Sequence, residues 1–199
     1  MTNHPDWDQS YAAEAPPPWD IGRPQPRFQA LAEAGLLRGR VLDCGCGTGE
    51  QALVAAAHGA DVRGIDVSAR AIDQARKKAT TRGLSAQFDV ADVLTMPTPA
   101  VLFDVVIDSG VFHVFDDADR ISYVAALRAL VRPGGTCYLM CFSDRQPGDW
   151  GPRRVRAEEL RSAFTDGWAI DLESATFDIN PVDDLTVVQA WFATLIRAE

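Results

Sequence analysis

The sequence predicts an α/β fold in which a doubly wound, mostly parallel sheet is covered by helices on both faces. Short runs rich in Val, Ile and Leu alternate with helical patterns from residue 40 onward, as is typical of strands buried on both faces of a parallel sheet. A turn with three glycines follows the first run. The last third holds two strand-like runs, 169–178 and 185–197, whose short polar separation predicts an antiparallel hairpin. At 199 residues the chain is expected to form one domain.

The predicted elements follow in order from residue 28. An amphipathic pattern predicts a helix over Phe28–Leu37, closed by Gly39. Strands are then predicted at Arg40–Cys44, Asp61–Asp66, Ala86–Val90, Phe103–Ser109 and Gly135–Phe142. The helices among and after them are predicted at Glu50–His58, Ala69–Arg82, Asp117–Leu130 and Ala157–Phe164.

Residues 1–27 differ from the rest because prolines alternate with aromatic residues. Proline removes backbone donors and restricts the residue before it, so no long helix is expected there. A flexible tail is one interpretation. The other is that Trp7, Tyr11 and Trp19 cover a pocket, and we name residues 1–27 the cover segment. The main domain is predicted to span residues 28–199.

Composition narrows the classes of partner. The net charge of −9 and pI near 4.8 disfavour nucleic acid as the main ligand. No apolar run reaches the ~20 residues of a membrane span, and residues 1–20 show no signal-peptide pattern; a cytoplasmic protein is the expectation. Of the four cysteines, one pair lies within the glycine turn and the other pair on a predicted buried strand, not in knuckle loops, so we expect no metal site and interpret them as small buried thiols.

The glycine turn indicates close approach of the backbone to a ligand. Gly45, Gly47 and Gly49 precede a predicted helix, whose first amides favour anionic or polar groups. The dinucleotide pattern G-x-G-x-x-G is not met, because Glu50 occupies the third glycine position. A carboxylate there would repel a pyrophosphate. Nicotinamide dinucleotide binding is therefore disfavoured.

Two acids end neighbouring strands. Asp43 ends the first strand, where it can meet an ammonium group, and Asp66 ends the second, where a diol-binding acid belongs. Together they predict a ligand with an amine, a ribose and no phosphates, which is the chemistry of S-adenosylmethionine. The alternative is that both acids serve only as turn or cap residues.

Five motifs in order carry a family resemblance. They read L-D-C-G-C-G-T-G-E-Q at 42–51, G-I-D-V-S-A-R-A-I at 64–72, F-D-V-A-D-V at 88–93, F-D-V-V-I-D-S-G-V-F-H at 103–113 and L-V-R-P-G-G at 130–135. Over residues 28–199 the chain resembles class I S-adenosylmethionine-dependent methyltransferases. The resemblance implies a Rossmann-like seven-stranded sheet of order 3-2-1-4-5-7-6 with strand seven antiparallel.

The resemblance also implies site residues. S-adenosyl-L-methionine, with S-adenosyl-L-homocysteine as product, would be bound by Trp19, Asp43, Gly45, Cys46, Gly47, Gly49, Asp66, Val67, Asp92, Val93, Asp108 and Ser109. In that set Asp66 holds the ribose, while Asp92 and Val93 contact the adenine. Asp108 and Ser109 would lie at the methionine end.

The acceptor side is expected to be aromatic. His113 follows the fourth strand and is the candidate general base, because its pKa range suits proton removal near neutrality; the alternative is a packed histidine. Tyr11, Phe112 and Trp150 are candidate substrate walls. Residues 143–152, rich in Gly and Pro, are interpreted as a lid loop.

Within the family, the chain looks most like the branch of thiopurine, thiol, tellurite and heterocyclic toxin methyltransferases. The likeness implies methyl transfer to O, N or S of a small, heteroaromatic acceptor, with detoxification as a hypothesis. Alternatives are an S-adenosylmethionine-binding regulatory protein without turnover and a nicotinamide oxidoreductase. A monomer or weak homodimer is expected.

Overall fold

The computed structural model describes residues 6–199. Its seven strands are β1 Arg40–Cys44, β2 Asp61–Asp66, β3 Gln87–Val90, β4 Phe103–Ser109, β5 Val131–Phe142, β6 Trp168–Val182 and β7 Leu185–Arg197. Its helices are α1 Trp7–Ser10, α2 Pro26–Glu33, α3 Glu50–Ala57, α4 Ala69–Arg82, α5 Asp117–Leu130 and α6 Ala157–Ala163, with a 3-10 turn at Phe112–Val114.

All seven strands form one sheet of order β3-β2-β1-β4-β5-β7-β6. The first five pair in parallel, whereas β7 is antiparallel to both β5 and β6. The predicted fold class and strand order are therefore confirmed. Parallel strands of this kind need helical crossovers, and these cover both faces of the sheet.

Each face of the sheet has its own hydrophobic core. On one face, Val41 and Ile107 pack against residues of α2, α3 and α4, such as Phe28. On the other, Leu42 and Val106 pack against residues of α5 and α6. The alternation along β1 and β4 follows from the two-residue period of a strand. It also decides which side chains of these strands can reach the ligand crevice.

Local sequence explains where the main helices begin and end. The Ser68 hydroxyl accepts a hydrogen bond from Ala71 N at 3.1 Å and begins α4, and Gly83, with φ of 64°, ends it. The Asp116 carboxylate accepts from Asp119 N at 2.9 Å and begins α5. These caps lie where the sequence predicted the helix bounds.

Several predicted bounds differ from the structure, and β6 extends to Val182, four residues past its predicted end. The first helix that the sequence predicted corresponds to α2, which begins at Pro26 and ends before Gly35, whose φ is 69°. Proline is favoured at the first helical position, so α2 crosses the boundary predicted after residue 27. Strand β5 begins at Val131, not Gly135, because Val131 pairs with Phe103 before residues 132–135 bulge out of the ladder.

Candidate functional site

The candidate site lies at the carboxyl ends of the parallel strands, where the strand order reverses. Strand β1 has β2 on one side and β4 on the other, and the connections leave in opposite directions. Such a switch point opens a crevice in α/β sheets. The glycine loop 45–49, residues 110–114 and the lid loop 143–152 all follow strands at this edge.

The glycine loop is shaped by close packing. Gly45 and Gly47 have φ of 60° and 52°, a region that favours glycine. A Cβ atom on Gly45 would lie 2.3 Å from Val111 Cγ2, so the loop packs directly on the segment after β4. The side chain of Cys46 is buried against Gly64, so only its backbone faces the crevice side of the loop.

Asp43 is buried with one oxygen unsatisfied. Its Oδ2 accepts a hydrogen bond from Ala52 N at 3.0 Å, at the start of α3. Its Oδ1 is buried and has no hydrogen-bond partner within residues 6–199. Burial, and then the negative charges of Asp66 and Asp108, raise the pKa of this carboxyl well above its usual range. A cationic ligand would relieve both conditions.

Asp66 is tied to the glycine loop. Its Oδ2 accepts from Gly47 N and its Oδ1 from Ser68 N, both at 2.8 Å. Burial raises the pKa of Asp66, while these backbone donors oppose the shift. A carboxylate has about four lone-pair sites, so two remain for a ligand's hydroxyl groups.

Of the residues after β2 and β3 that were expected to contact the adenine, one is not available at the surface. Val67 is 49% exposed and Asp92 is exposed, with Asp92 Oδ1 accepting from Leu94 N at 2.9 Å. The Val93 side chain is instead buried in the core on the α5 face. Val67 is therefore an exposed apolar side chain that is available to cover a flat ring here.

The cover segment contacts the glycine loop directly. The Tyr11 hydroxyl accepts the indole N–H of Trp19 at 2.9 Å, and the two rings meet edge to face. A Cβ atom on Gly47 would lie 2.8 Å from the Tyr11 hydroxyl oxygen. Burial and the nearby Asp66 charge raise the pKa of Tyr11. Tyr11 thus lies at the glycine loop and remains protonated.

Polar contacts hold the cover segment at both of its ends. At one end the Asp8 carboxylate accepts from Ser68 Oγ at 2.8 Å and from Arg70 N and Nε, both at 2.9 Å. At the other end the Gln25 amide exchanges two hydrogen bonds, each of 2.9 Å, with the backbone of Asp178. The aromatic residues between are thereby placed over the crevice.

Asp108 and Phe112 do not occupy the predicted places. Asp108 Oδ1 accepts from Val111 N at 2.7 Å, and its Oδ2 accepts from Phe112 N at 3.1 Å and the Tyr123 hydroxyl at 2.8 Å. The carboxylate therefore caps the 3-10 turn on the α5 face. The Phe112 ring is fully buried between Tyr123 and Phe164. The structure corrects both expectations: Asp108 shapes the turn, and Phe112 is a core residue.

Ser109 ends β4 beside the crevice, half-buried and opposite Met140 of β5. Gly110 follows it with φ of 96°, and its N–H donates to Met140 O at 2.9 Å. This turn directs the chain away from the sheet and places His113 near the end of β5.

His113 makes a hydrogen bond that a general base could not keep. Its Nδ1 accepts the backbone N–H of Phe142 at 2.9 Å. Burial, and then the positive charge of Arg154, lower the pKa of the imidazole to about 3. The expectation of a general base is corrected, because the lone pair that would take a proton is already engaged. The interpretation as a packed histidine at the strand end fits the geometry.

Two buried aromatic rings contact this histidine, and a third ring packs on one of them. Phe142 and Phe177 lie 5.2 Å and 6.2 Å from the His113 ring, centroid to centroid, and Trp150 lies 6.3 Å from Phe142. We name these four residues the aromatic cluster. The sequence analysis did not identify Phe177 as a site residue, because a single aromatic residue in a strand of the terminal hairpin does not indicate a ligand contact.

Arg154 organises the lid loop. Its guanidinium donates to the backbone oxygens of Gln146, Gly148, Trp150 and Pro152 at 2.7–3.2 Å. It also lies 5.4 Å from the Phe142 ring centroid. One side chain thus holds the loop and places a positive charge beside the aromatic cluster.

Comparison with known proteins identifies the family of the chain. Residues 41–135 match a family model described as a methyltransferase domain. A 2-heptyl-1-hydroxyquinolin-4(1H)-one methyltransferase of Mycobacteroides abscessus is 35% identical over 184 residues, 88% of this chain and 78% of the relative. A probable thiol methyltransferase 2 of Arabidopsis thaliana is 32% identical over 161 residues, 79% of this chain and 70% of the relative.

Solved structures show the same fold. One from work on converting a disulfide bond into a thioacetal group during echinomycin biosynthesis is 38% identical, with a TM-score of 0.86, over 96% of this chain and 92% of that one. Magnesium protoporphyrin IX methyltransferase of Synechocystis PCC 6803 was solved with S-adenosylmethionine bound. It has a TM-score of 0.67 at 20% identity, and the match covers 86% of this chain and 76% of that one.

In residues 6–199 we find no helix of the length and apolarity that crossing a bilayer requires. The chain belongs to the S-adenosylmethionine-dependent methyltransferases.

Proposed function

We propose that this methyltransferase transfers the methyl group to O, N or S of a small, heteroaromatic acceptor that binds at the aromatic cluster. The observation that carries the proposal is the meeting of His113, Phe142, Trp150 and Phe177 beside the turn that follows β4. Rings of this kind favour flat, apolar ligands with one or two polar groups. The names of the relatives, a hydroxyquinolone and a thiol methyltransferase, support the same class of acceptor.

The residues at the crevice fit S-adenosylmethionine. The orphaned Oδ1 of Asp43 suits the ammonium group, and the free lone pairs of Asp66 suit the ribose hydroxyls. Val67 and Asp92 are exposed where the adenine would lie. When bound, the cofactor supplies a methyl carbon activated by the sulfonium charge. What remains for this chain is to align the acceptor and exclude water.

We propose that the cover segment excludes water from the crevice. Tyr11 and Trp19 lie over the glycine loop, and Asp8 and Gln25 hold the ends of the segment. Residues 1–5 of the predicted segment lie outside the described residues. Binding of both ligands then requires the cover segment or the lid loop to open and close again.

The net charge of −9 supports a small molecule over nucleic acid as partner. We also propose a cytoplasmic location, a monomer or weak homodimer, and a role in detoxification.

Isothermal titration with S-adenosylmethionine, paired with an S-adenosylhomocysteine release assay, tests the proposal. The acceptor panel would hold aromatic thiols, phenols and hydroxyquinolines, with aliphatic alcohols and amines as controls. We expect saturable cofactor binding and product release with the aromatic members. Binding without release from any acceptor would favour the regulatory alternative instead.

A further inference from the structure

The tautomer of His113 is decided by its partner. A backbone N–H can only donate, so the Nδ1 that it meets at 2.9 Å must be an unprotonated acceptor. The neutral imidazole then carries its proton on Nε2. Since a Cβ atom on Gly110 would lie 3.5 Å from Nε2, this N–H lies at the turn after β4. The histidine offers a donor there and no basic lone pair.

Protonation of His113 would break its hydrogen bond to Phe142 and place a buried positive charge near Arg154. The imidazolium has two N–H donors, so Nδ1–H would face the Phe142 N–H and break that bond. The charged ring would also be buried near the Arg154 guanidinium, which already lowers its pKa. Both effects disfavour a proton-accepting role.

Four other titratable groups around the cluster are engaged in hydrogen bonds or ion pairs, or are protonated. Asp108 accepts three hydrogen bonds on the α5 face. Tyr11 has a raised pKa and stays a phenol, and Asp178, next to Phe177, binds Arg23 at 2.7 Å. After β5, the Asp144 carboxylate accepts the Trp191 indole N–H at 3.3 Å. Asp149 on the lid loop is exposed to solvent. Asp108, Tyr11, Asp178 and Asp144 are therefore not placed as a base toward the cluster, and the acceptor series described below tests Asp149 together with every other group.

We infer that the acceptor enters the aromatic cluster already ionised, so that the enzyme selects thiols and N-hydroxy or hydroxy heteroaromatics whose pKa lies near or below the working pH. This inference rests on the proposed function. The charges support it, because the Nε2–H of His113 and the Arg154 guanidinium both favour an anion.

The step balances without a base. The acceptor loses its proton to water before it binds. Its anionic O, N or S then forms a bond to the methyl carbon as the carbon–sulfur bond of the sulfonium breaks. The electron pair of that bond stays on sulfur, so both products are neutral and no proton moves during transfer.

The test is a pH series of kcat/KM with ring-matched acceptors whose own pKa values span about 5 to 9. We expect the midpoint of each profile to follow the pKa of the acceptor used. One midpoint shared by all acceptors would show a base on the enzyme and overturn the inference. If no acceptor releases S-adenosylhomocysteine at any pH although the cofactor binds, the proposed function itself fails.

The His113→Asn variant adds a second readout, because its side-chain oxygen can still accept the Phe142 N–H while the Nε2–H donor is lost. We expect the acceptor KM to rise about 10-fold, as for loss of a hydrogen bond to a charged group, with kcat within about 3-fold. Loss of kcat by more than about 100-fold with unchanged KM would instead indicate a base. Should the variant not fold, the wild-type acceptor series decides alone.

Discussion

The Asp20 carboxylate accepts a hydrogen bond from the Thr48 hydroxyl at 2.8 Å, which joins the cover segment to the glycine loop. Lys78 of α4 donates to the same Thr48 oxygen at 2.6 Å. The Asp20 side chain is only 12% exposed, so this bond is shielded from water. The Thr48 hydroxyl therefore joins the cover segment to the glycine loop, in addition to the contact of Tyr11 with Gly47.

Replacing Thr48 with Val should weaken that coupling while preserving side-chain shape. We expect affinity for S-adenosylmethionine to fall by about 1 kcal/mol, roughly 5-fold, because the buried Asp20 carboxylate loses a donor. Isothermal titration measures the change. Thr80→Val is the matched control, since the one hydrogen bond found for the Thr80 hydroxyl in residues 6–199 is to Arg76 O in the same helix. Equal affinities of the two variants would contradict the coupling.

Asp66→Ala should weaken cofactor binding by about 1–3 kcal/mol, since two ribose hydrogen bonds and the tether to Gly47 are lost together. Asp61→Ala is the control, because Asp61 begins the same strand and is largely exposed at the opposite edge of the sheet. Titration of both variants gives the comparison. A normal dissociation constant for Asp66→Ala would remove this residue from the site.

Deleting residues 1–20 should lower turnover more than about 10-fold, because water would then reach the crevice. The fold should persist, since the chain still contains α2 and the Gln25 bonds to Asp178. Circular dichroism and product release measure the two effects. Deletion of residues 1–5 is the control, as it leaves the Asp8, Tyr11 and Asp20 contacts intact. A fully active 1–20 deletion would mean that the segment is a tail.

The fold could be predicted from the sequence because its determinants are local. Buried strands, capping residues such as Ser68 and the spacing of the glycine loop each act within a few residues. The strand order came from the family resemblance, which contributes information on long-range pairing that no single segment holds.

The acceptor side was predicted less well because it depends on which face of a strand a residue occupies. Asp108 follows the strand period that points to the α5 face, where its carboxylate meets Tyr123, and Phe112 in the 3-10 turn is buried in the core of the same face. The role of His113 depends on the N–H of Phe142, 29 residues away. Phe177 reaches the cluster only through the antiparallel hairpin. Such contacts exist only after folding.

Glu50, which replaces a glycine of the dinucleotide pattern, forms a buried ion-pair network. Its carboxylate, 6% exposed, binds Lys78 and Arg82, with each contact at 2.8 Å. Burial alone would raise the pKa of Glu50, but the hydrogen bonds from Arg82 and Lys78 outweigh it and lower the pKa below 4.5. The folded state therefore binds this proton less tightly than the unfolded state.

Glu50→Gln should accordingly lower the free energy of unfolding near neutral pH by about 1–2 kcal/mol, a value reduced because Arg82 is 41% exposed. The contribution of Glu50 is present above pH 4.5 and is lost as the pH falls through its lowered pKa. The difference between wild type and Glu50→Gln should thus shrink in acid. Urea unfolding at neutral pH and at about pH 3.5 measures it, with Glu158→Gln, an exposed site on α6, as the control. A difference that does not change with pH would show that the network contributes through packing and not through charge.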